Sequence, residues 1–520
     1  MNTGGTRKWW ALGALALSML AVGLDLTVLN VALPTLATDL KASTSELQWF
    51  ASGYTLVLAA ALLPAGTLGD RFGRRKFLVI ALIVFGIASL GCAYAPNSAA
   101  LIAARAVLGL AAAFLMPLSM SVLPVLFTEA ERPRAIAIWA TSTMIGIPLG
   151  PIVGGWLLDN FWWGSAFLIN VPMVLIALVA VLLLLPESRG SARGGLDVVG
   201  VLTSSLGLLG VTYGVIQAGQ DGWGSAGTLV PLLGGAAVLA VFVYWQRRLG
   251  QRALVDLSLF SSPSFTWGTT LATMVNFAMV GLMFAMPQYF QAIEHTDALG
   301  NGLRLLPMIG GMLVGVRVAG PVATRAGAKV TVTVGYLVMA VALGIGATTG
   351  LGSGYGFVAA WFTVFGFGLG FAMPTAMNAA MSPLSAERSG IGSAVMSALR
   401  QTGGAIGVAI LGTVLSSGYQ GELHVTGLPA QAADAVRAGV TSGVAVAGKL
   451  GSAPLLANVR GAFVHGLDLT LWVSGGLALL GALVALALLP ARSGTMSGTE
   501  ANSERTVQDQ VGKSEREVVG

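Results

Sequence analysis

Charge is what this sequence has least of: Asp, Glu, Lys and Arg make up 10% of 520 residues, against 55% hydrophobic residues and a mean hydropathy of +0.80. Soluble domains carry about 25% charged residues, so a soluble globular class is excluded. Cysteine is nearly absent too. The single Cys92 rules out a disulfide framework and a cysteine-built metal centre. The three histidines, His295, His424 and His465, fall in loops or at their edges, where solvated side chains are the plain reading. No P-loop signature is present, and the loops are too short to hold an ATPase domain, so no enzyme activity, cofactor or metal is expected. The net charge of +6 is modest and its basic residues cluster in short loops, which signals membrane topology and gives no case for nucleic acid.

What the chain has instead is long apolar runs and 71 glycines. Runs of about 20 apolar residues cross a bilayer as helices, and small residues let such helices approach closely in lipid. The expected class is therefore an all-α, multi-pass membrane protein. Hydropathy gives about fourteen spans: 9–33, 48–68, 77–95, 99–126, 135–158, 164–185, 198–218, 227–245, 265–290, 303–322, 330–349, 355–379, 390–416 and 466–490. Arg7 and Lys8 precede the first run and no small-residue cleavage site follows, so that run is expected to be retained. Arg71, Arg74, Arg75, Lys76, Arg132, Arg134, Arg247 and Arg248 share one side with both termini, while the short loops opposite hold little beyond Lys41. The positive-inside bias then places both termini in the cytoplasm; the expected location is the plasma membrane. Residues 1–8 are the cytoplasmic N-terminus, 491–520 a disordered polar tail, and 417–465 one long external loop whose Ala-rich middle is expected to form an amphipathic surface helix.

An internal repeat is legible. Gly66-Thr-Leu-Gly-Asp70-Arg71-Phe-Gly73-Arg74-Arg75-Lys76 returns in weaker form as Gly320-Pro-Val-Ala-Thr324-Arg325-Ala-Gly327-Ala-Lys329. Phe114-Leu-Met-Pro117, followed by Glu131-Arg132, returns as Phe371-Ala-Met-Pro374, followed by Glu387-Arg388. The first six spans (9–185) and the last six (265–490) are thus copies, with two linker helices (198–245) inserted between them. Two six-helix halves are a transporter architecture whose substrate site lies at their interface near mid-membrane.

Asp25, in the interior of the first span, is the only carboxylate placed deep in a span. A carboxylate there is costly unless protonated, paired or facing water, which makes it a functional candidate. Burial disfavours its charge and a nearby cation favours it, so such a group can load and release a proton. A structural Asp bonded to neighbouring backbone is the alternative. Arg105, at a similar depth in the fourth span, is the cation expected to tune it, with snorkelling to the outer headgroups as the alternative. The tight turn at Gly66–Lys76 needs the conformational freedom of Gly73. Asp70 is set to bond backbone or an Arg across the two halves as a latch, and Arg71, Arg74 and Arg75 to anchor at anionic headgroups. In Gly146-Ile-Pro148-Leu-Gly150-Pro151-Ile-Val-Gly154-Gly155, the proline removes a backbone donor and Gly146, Gly150 and Gly154 form one groove. A bend packed there seals the outer end of a cavity; plain helix packing is the alternative. Thr27, Asn30, Asn276, Gln288, Arg400 and Gln401 are weaker candidates for lining that cavity. Arg317 is a further cation within a span.

These residues carry a resemblance. Gly66–Lys76 looks like the signature loop between helices two and three of the major facilitator superfamily, and Gly146–Gly155 is similar to that superfamily's antiporter motif in helix five. With Leu24-Asp25-Leu-Thr27-Val-Leu-Asn30-Val-Ala-Leu-Pro34, Arg105-Ala-Val-Leu108-Gly109, Ser165-Ala-Phe167-Leu-Ile-Asn170-Val-Pro172, Arg400-Gln401-Thr-Gly403-Gly404 and fourteen spans, the chain resembles the fourteen-helix drug:proton antiporters. The family has Gln where Leu108 stands and Arg-Trp where Gly164-Ser165 stands; within this chain's own repeat, Thr324 stands where the first copy has the acid Asp70, so the second latch is expected to be weaker. The resemblance implies a major facilitator fold and proton-driven efflux of an amphiphilic, drug- or antibiotic-like small molecule by alternating access, in a monomer. Proton-coupled uptake of a small metabolite on the same fold and a transporter-like membrane sensor are the other readings.

Overall fold

The computed structural model describes residues 3–128, 131–189, 197–250, 253, 255, 257–384, 386–425 and 427–490. Their regular structure is helical, with no strand among them. In the first half run α1 (Thr3–Asp39), α2 (Thr44–Phe72), α3 (Arg74–Ala93), α4 (Ser98–Leu126), α5 (Arg132–Asn160), α6 (Ser165–Leu168) and α7 (Asn170–Leu184). A hairpin, α8 (Val198–Asp221) and α9 (Ala226–Leu249), follows. The second half holds α10 (Pro263–Ala292), α11 (Ala298–Arg304), α12 (Leu306–Gly346), α13 (Tyr355–Met381), α14 (Ala386–Glu422), α15 (Ala430–Ala438), α16 (Val440–Lys449) and α17 (Ala453–Leu488).

Eleven helices among the described residues are long and apolar enough to cross a membrane. Counting the two legs of α12 separately and adding α2 and α5, each 29 residues and so about 44 Å long, gives fourteen crossings. Several expected boundaries move. The first helix starts at Thr3, so residues 3–8 extend it rather than forming a tail. The sixth span is broken between α6 and α7, because Pro172 has no N–H to donate to Leu168. The loop expected over 417–465 shrinks to 423–452, since α14 runs on to Glu422 and α17 starts at Ala453; two short helices, α15 and α16, replace the single one. The tail 491–520 lies outside the described residues.

Chain reversals have local causes. Ser43 opens α2 with a capping box: its hydroxyl accepts from the Glu46 N–H and its own N–H donates to Glu46 at 2.8 Å. At the opposite end Gly73 joins α2 to α3 at φ 122°, and Gly327 breaks α12 into two legs at φ 85°. Both glycines hold the same place in the repeated motif, and both adopt backbone that side chains resist. These turns name the two ends of the molecule, a Ser43 end and a Gly73 end.

Each half packs through a glycine seam. Added Cβ atoms at Gly146, Gly150 and Gly154 of α5 would strike Gly23, Thr27 and Val28 of α1; those at Gly403, Gly404 and Gly407 of α14 would strike Thr273, Asn276 and Phe277 of α10. The α8–α9 hairpin leans on α14 and α2. Contacts between the halves gather at the Ser43 end. Here α2 meets α14, Gln48 donating to the Ala409 carbonyl and Ser52 to that of Ala405, each at 3.3 Å. Nearby, the Asp159 carboxylate at the end of α5 accepts from the Ala298 and Leu299 N–H groups of α11 at 3.0 and 2.9 Å. Across the same end lie α15 and α16, held by Thr44 donating to Ala438 O (2.9 Å) and Tyr419 to Val436 O (2.7 Å).

Candidate functional site

Asp25 and Arg105 meet inside the first half. Arg105 Nη1 donates to Asp25 Oδ2 at 2.7 Å, and the two side chains are 2% and 0% exposed. That degree of burial makes the pair a serious matter, because a buried ion with its partner removed costs about 3–5 kcal/mol. The pair has support on all sides. Arg105 Nε donates to the Phe50 carbonyl at 3.1 Å, and its guanidinium lies 4.5 Å from the Tyr54 ring centre and 6.0 Å from that of Phe167. Asn170 Nδ2 donates to Asp25 Oδ1 at 3.3 Å and lies 3.5 Å from Ser89 Oγ. The site therefore draws on α1, α2, α3, α4, α6 and α7. Two of its polar atoms, the Tyr54 hydroxyl and Asn170 Oδ1, are buried without a hydrogen-bond partner.

The glycine motif of α5 abuts this site. Gly150 lies against Thr27 and the Leu24 carbonyl, the two turns that flank Asp25, while α5 stays helical through the motif. Gly155 and the Pro151 carbonyl face the other way, onto Ala298–Gly302 of α11 in the second half. One helix thus touches both the charged pair's helix and the partner half. The side chain of Pro148 lies outside the described residues, as does that of Asp70.

The Gly66–Lys76 loop is tied down within its own half. The Glu187 carboxylate, just beyond α7, accepts from the N–H groups of Arg75 (3.1 Å) and Lys76 (3.2 Å), at the positive end of α3. It occupies the place a Cβ on Gly73 would need. Arg74 donates to the Ser121 carbonyl at 2.9 Å; Arg75 and Arg7 donate to those of Leu182 and Leu183 at 2.5 and 2.6 Å, in the last turn of α7. Arg74 and Arg75 therefore bind helix carbonyls, where headgroup anchoring was the expectation; Arg71 is exposed, and Gly66 packs near Pro117.

The remaining candidates are scattered. Thr27 bonds the Gly23 and Leu24 carbonyls of its own helix, Asn30 is buried, and Gln288 donates to Phe284 O at 3.0 Å. Asn276 donates to the Arg400 carbonyl at 2.8 Å, Gln401 is buried, and Arg400 is half-buried with its Nε enclosed and unbonded. Asp25 is not alone among carboxylates within helical spans: Asp468 lies inside α17, half-buried, its Oδ1 enclosed and unbonded. Starting the last span at 466 hid it, since that put Asp468 at a helix end. Sequence reading also missed Tyr54 and Glu187. Only the Pro186-Glu187 step at the close of an apolar run signals the latter.

Residues 15–408 match the family profile of the Major Facilitator Superfamily. The chain is 34% identical over 495 residues to the multidrug efflux pump LfrA of Mycolicibacterium smegmatis, covering 92% of this chain and 96% of that one. It is 32% identical over 493 residues to the tetracenomycin C resistance and export protein of Streptomyces glaucescens, covering 92% and 91%. Among solved structures, an inward-facing, occupied bacterial homologue of the lysosomal transporter Spinster superposes with a TM-score of 0.67 at 15% identity, over 94% of this chain and 97% of that one. That likeness shows the fold, and the sequence relatives show the branch. The chain belongs to the Major Facilitator Superfamily, among its drug-efflux permeases.

Proposed function

We propose that this permease exports amphiphilic, drug- or antibiotic-like molecules and draws its energy from protons that bind at Asp25. The observation that carries the proton step is the buried Asp25–Arg105 pair at 2.7 Å, an ionisable couple enclosed by protein on all sides. The export step is supported by the relatives, named for export of tetracenomycin C and for multidrug efflux. With the Gly73 end in the cytoplasm, as the basic loops argue, the contacts at the Ser43 end close the outer side. Protonation of Asp25 removes the carboxylate charge from α1, and α5, packed on α1 through Gly150 and on α11 through Gly155, carries the change to the seam between the halves. The two halves then rock about a central site, and the ligand shifts the balance only by binding one state better. One proton crossing 100 mV releases about 2.3 kcal/mol, enough for roughly a fifty-fold gradient of a neutral compound. The plasma membrane and a monomer complete the reading.

The test is proton flux in proteoliposomes. Purified protein with an imposed pH gradient, offered a panel of hydrophobic compounds, should release protons on adding a substrate and concentrate that compound. Substrate movement without proton counter-movement would reject the coupling.

A further inference from the structure

We infer that Asn170 is a two-way hydrogen-bond partner for Asp25, positioned to satisfy both its charged and its protonated form. The inference rests on the proton-coupling role proposed above and adds a residue to it. A carboxylate only accepts hydrogen bonds, whereas a carboxylic acid must also donate one. A buried site that serves both states needs a neighbour able to switch, because an unmet polar atom there is costly. Asn170 is 1% exposed, and one end of its amide is used while the other is idle. Nδ2 donates to Asp25 Oδ1 at 3.3 Å, and Oδ1 has no partner. A half-turn about its terminal torsion exchanges the two ends and presents an acceptor to the Asp25 O–H. No backbone movement is required, because that torsion has two equivalent wells.

The surroundings fit such a switch. Arg105 keeps the Phe50 carbonyl at 3.1 Å and the Tyr54 ring at 4.5 Å when the carboxylate charge is gone, so it is not stranded. Ser89 Oγ, 3.5 Å from Asn170 Nδ2, accepts from the amide before the turn, and its hydroxyl can donate to the Oδ1 that takes that place afterwards. The other titratable groups within electrostatic reach are the Tyr54 hydroxyl on α2 and the buried Cys92 thiol on α3; neither is bonded to Asp25. The break between α6 and α7 makes Asn170 the first residue of α7, where its side chain reaches Asp25.

Full-length protein in proteoliposomes tests this with three variants and a spectrum. Asn170→Leu keeps the branched shape but can neither donate nor accept; proton-driven accumulation should fall at least about ten-fold, the worth of one buried hydrogen bond, while downhill exchange and substrate binding persist. Asn170→Gln, which keeps both functions on a longer arm, should recover part of that loss. Infrared difference spectra on protonation should contain an acid C=O band that Asp25→Asn removes and Asn170→Leu shifts. If Asn170→Leu does not fold, wild-type protein with 13C-labelled asparagine decides: an asparagine carbonyl band should shift to lower frequency as Asp25 protonates. Wild-type accumulation in Asn170→Leu, or no isotope-sensitive asparagine band, would overturn the role of Asn170. Uphill transport surviving in Asp25→Asn would instead reject the coupling reading beneath it.

Discussion

At the scale of residues, one buried pair dominates. Asp25→Asn keeps shape and removes titration, so uphill efflux should vanish while downhill exchange of substrate persists, measured as counterflow in vesicles. Arg105→Leu leaves a charged carboxylate with no cation, and thermal melting should show a loss of about 3–5 kcal/mol. Combining Arg105→Leu with Asp25→Leu removes both charges and should recover much of that loss. A double variant as unstable as the single one would mean that Arg105 holds the fold through Phe50 and Tyr54 alone. Asp25 and Arg105 were both legible in the sequence, because an ion inside an apolar run stands out by itself. Tyr54 was not, and Asn170 was read only as part of the Ser165–Pro172 stretch: a tyrosine or asparagine in a span is commonplace, and only the folded helices bring these two to the same ion pair.

Elements explain what single residues cannot. Gly150 has α1 against it, so Gly150→Val must push Thr27 and the Leu24 carbonyl away; exchange should be lost or become leaky while the protein still reaches the membrane. The seam itself was readable from glycines spaced four apart, but which helix fills it was not, since spacing names a face and not its neighbour. At the Gly73 end, Lys8 on α1 holds Glu131 at 2.6 Å, and that hydrogen bond keeps the Glu131 carboxyl below its ordinary value. A lowered carboxyl contributes stability above its unfolded value and loses it as pH falls through the folded one. Acidification should therefore loosen the first turns of α1, seen as faster amide exchange there, and salt should weaken the effect because Glu131 is solvent-accessible. The broken sixth span and the shortened 423–452 loop escaped hydropathy for a related reason. Hydropathy reads apolar runs, whereas the ends of α14 and α17 stay helical through contact with each other, Gly418 lying against Gly466.

The whole molecule is two similar bodies closed at one end. Ser52 on α2 donates to Ala405 of α14 at 3.3 Å, and the native chain has one cysteine, which is buried, so an engineered pair meets almost no background. Cysteines at 52 and 405, joined by a short cross-linker, should stop efflux. Substrate with a proton gradient should lower the yield of cross-link, and undiminished yield during turnover would show that this contact does not open. The repeat that made the two bodies visible also exposes how they differ. Nine residues before Pro34 stands Asp25 and, in the second copy, nine before Pro287 stands Ala278; twelve before Pro117 stands Arg105, and twelve before Pro374 stands Phe362. The two replacements are buried and apolar. On the proposed proton step, loading at this position changes the charge of the first body alone, so the two bodies, alike in fold, are unlike as carriers: one is the proton's seat and the other its counterweight.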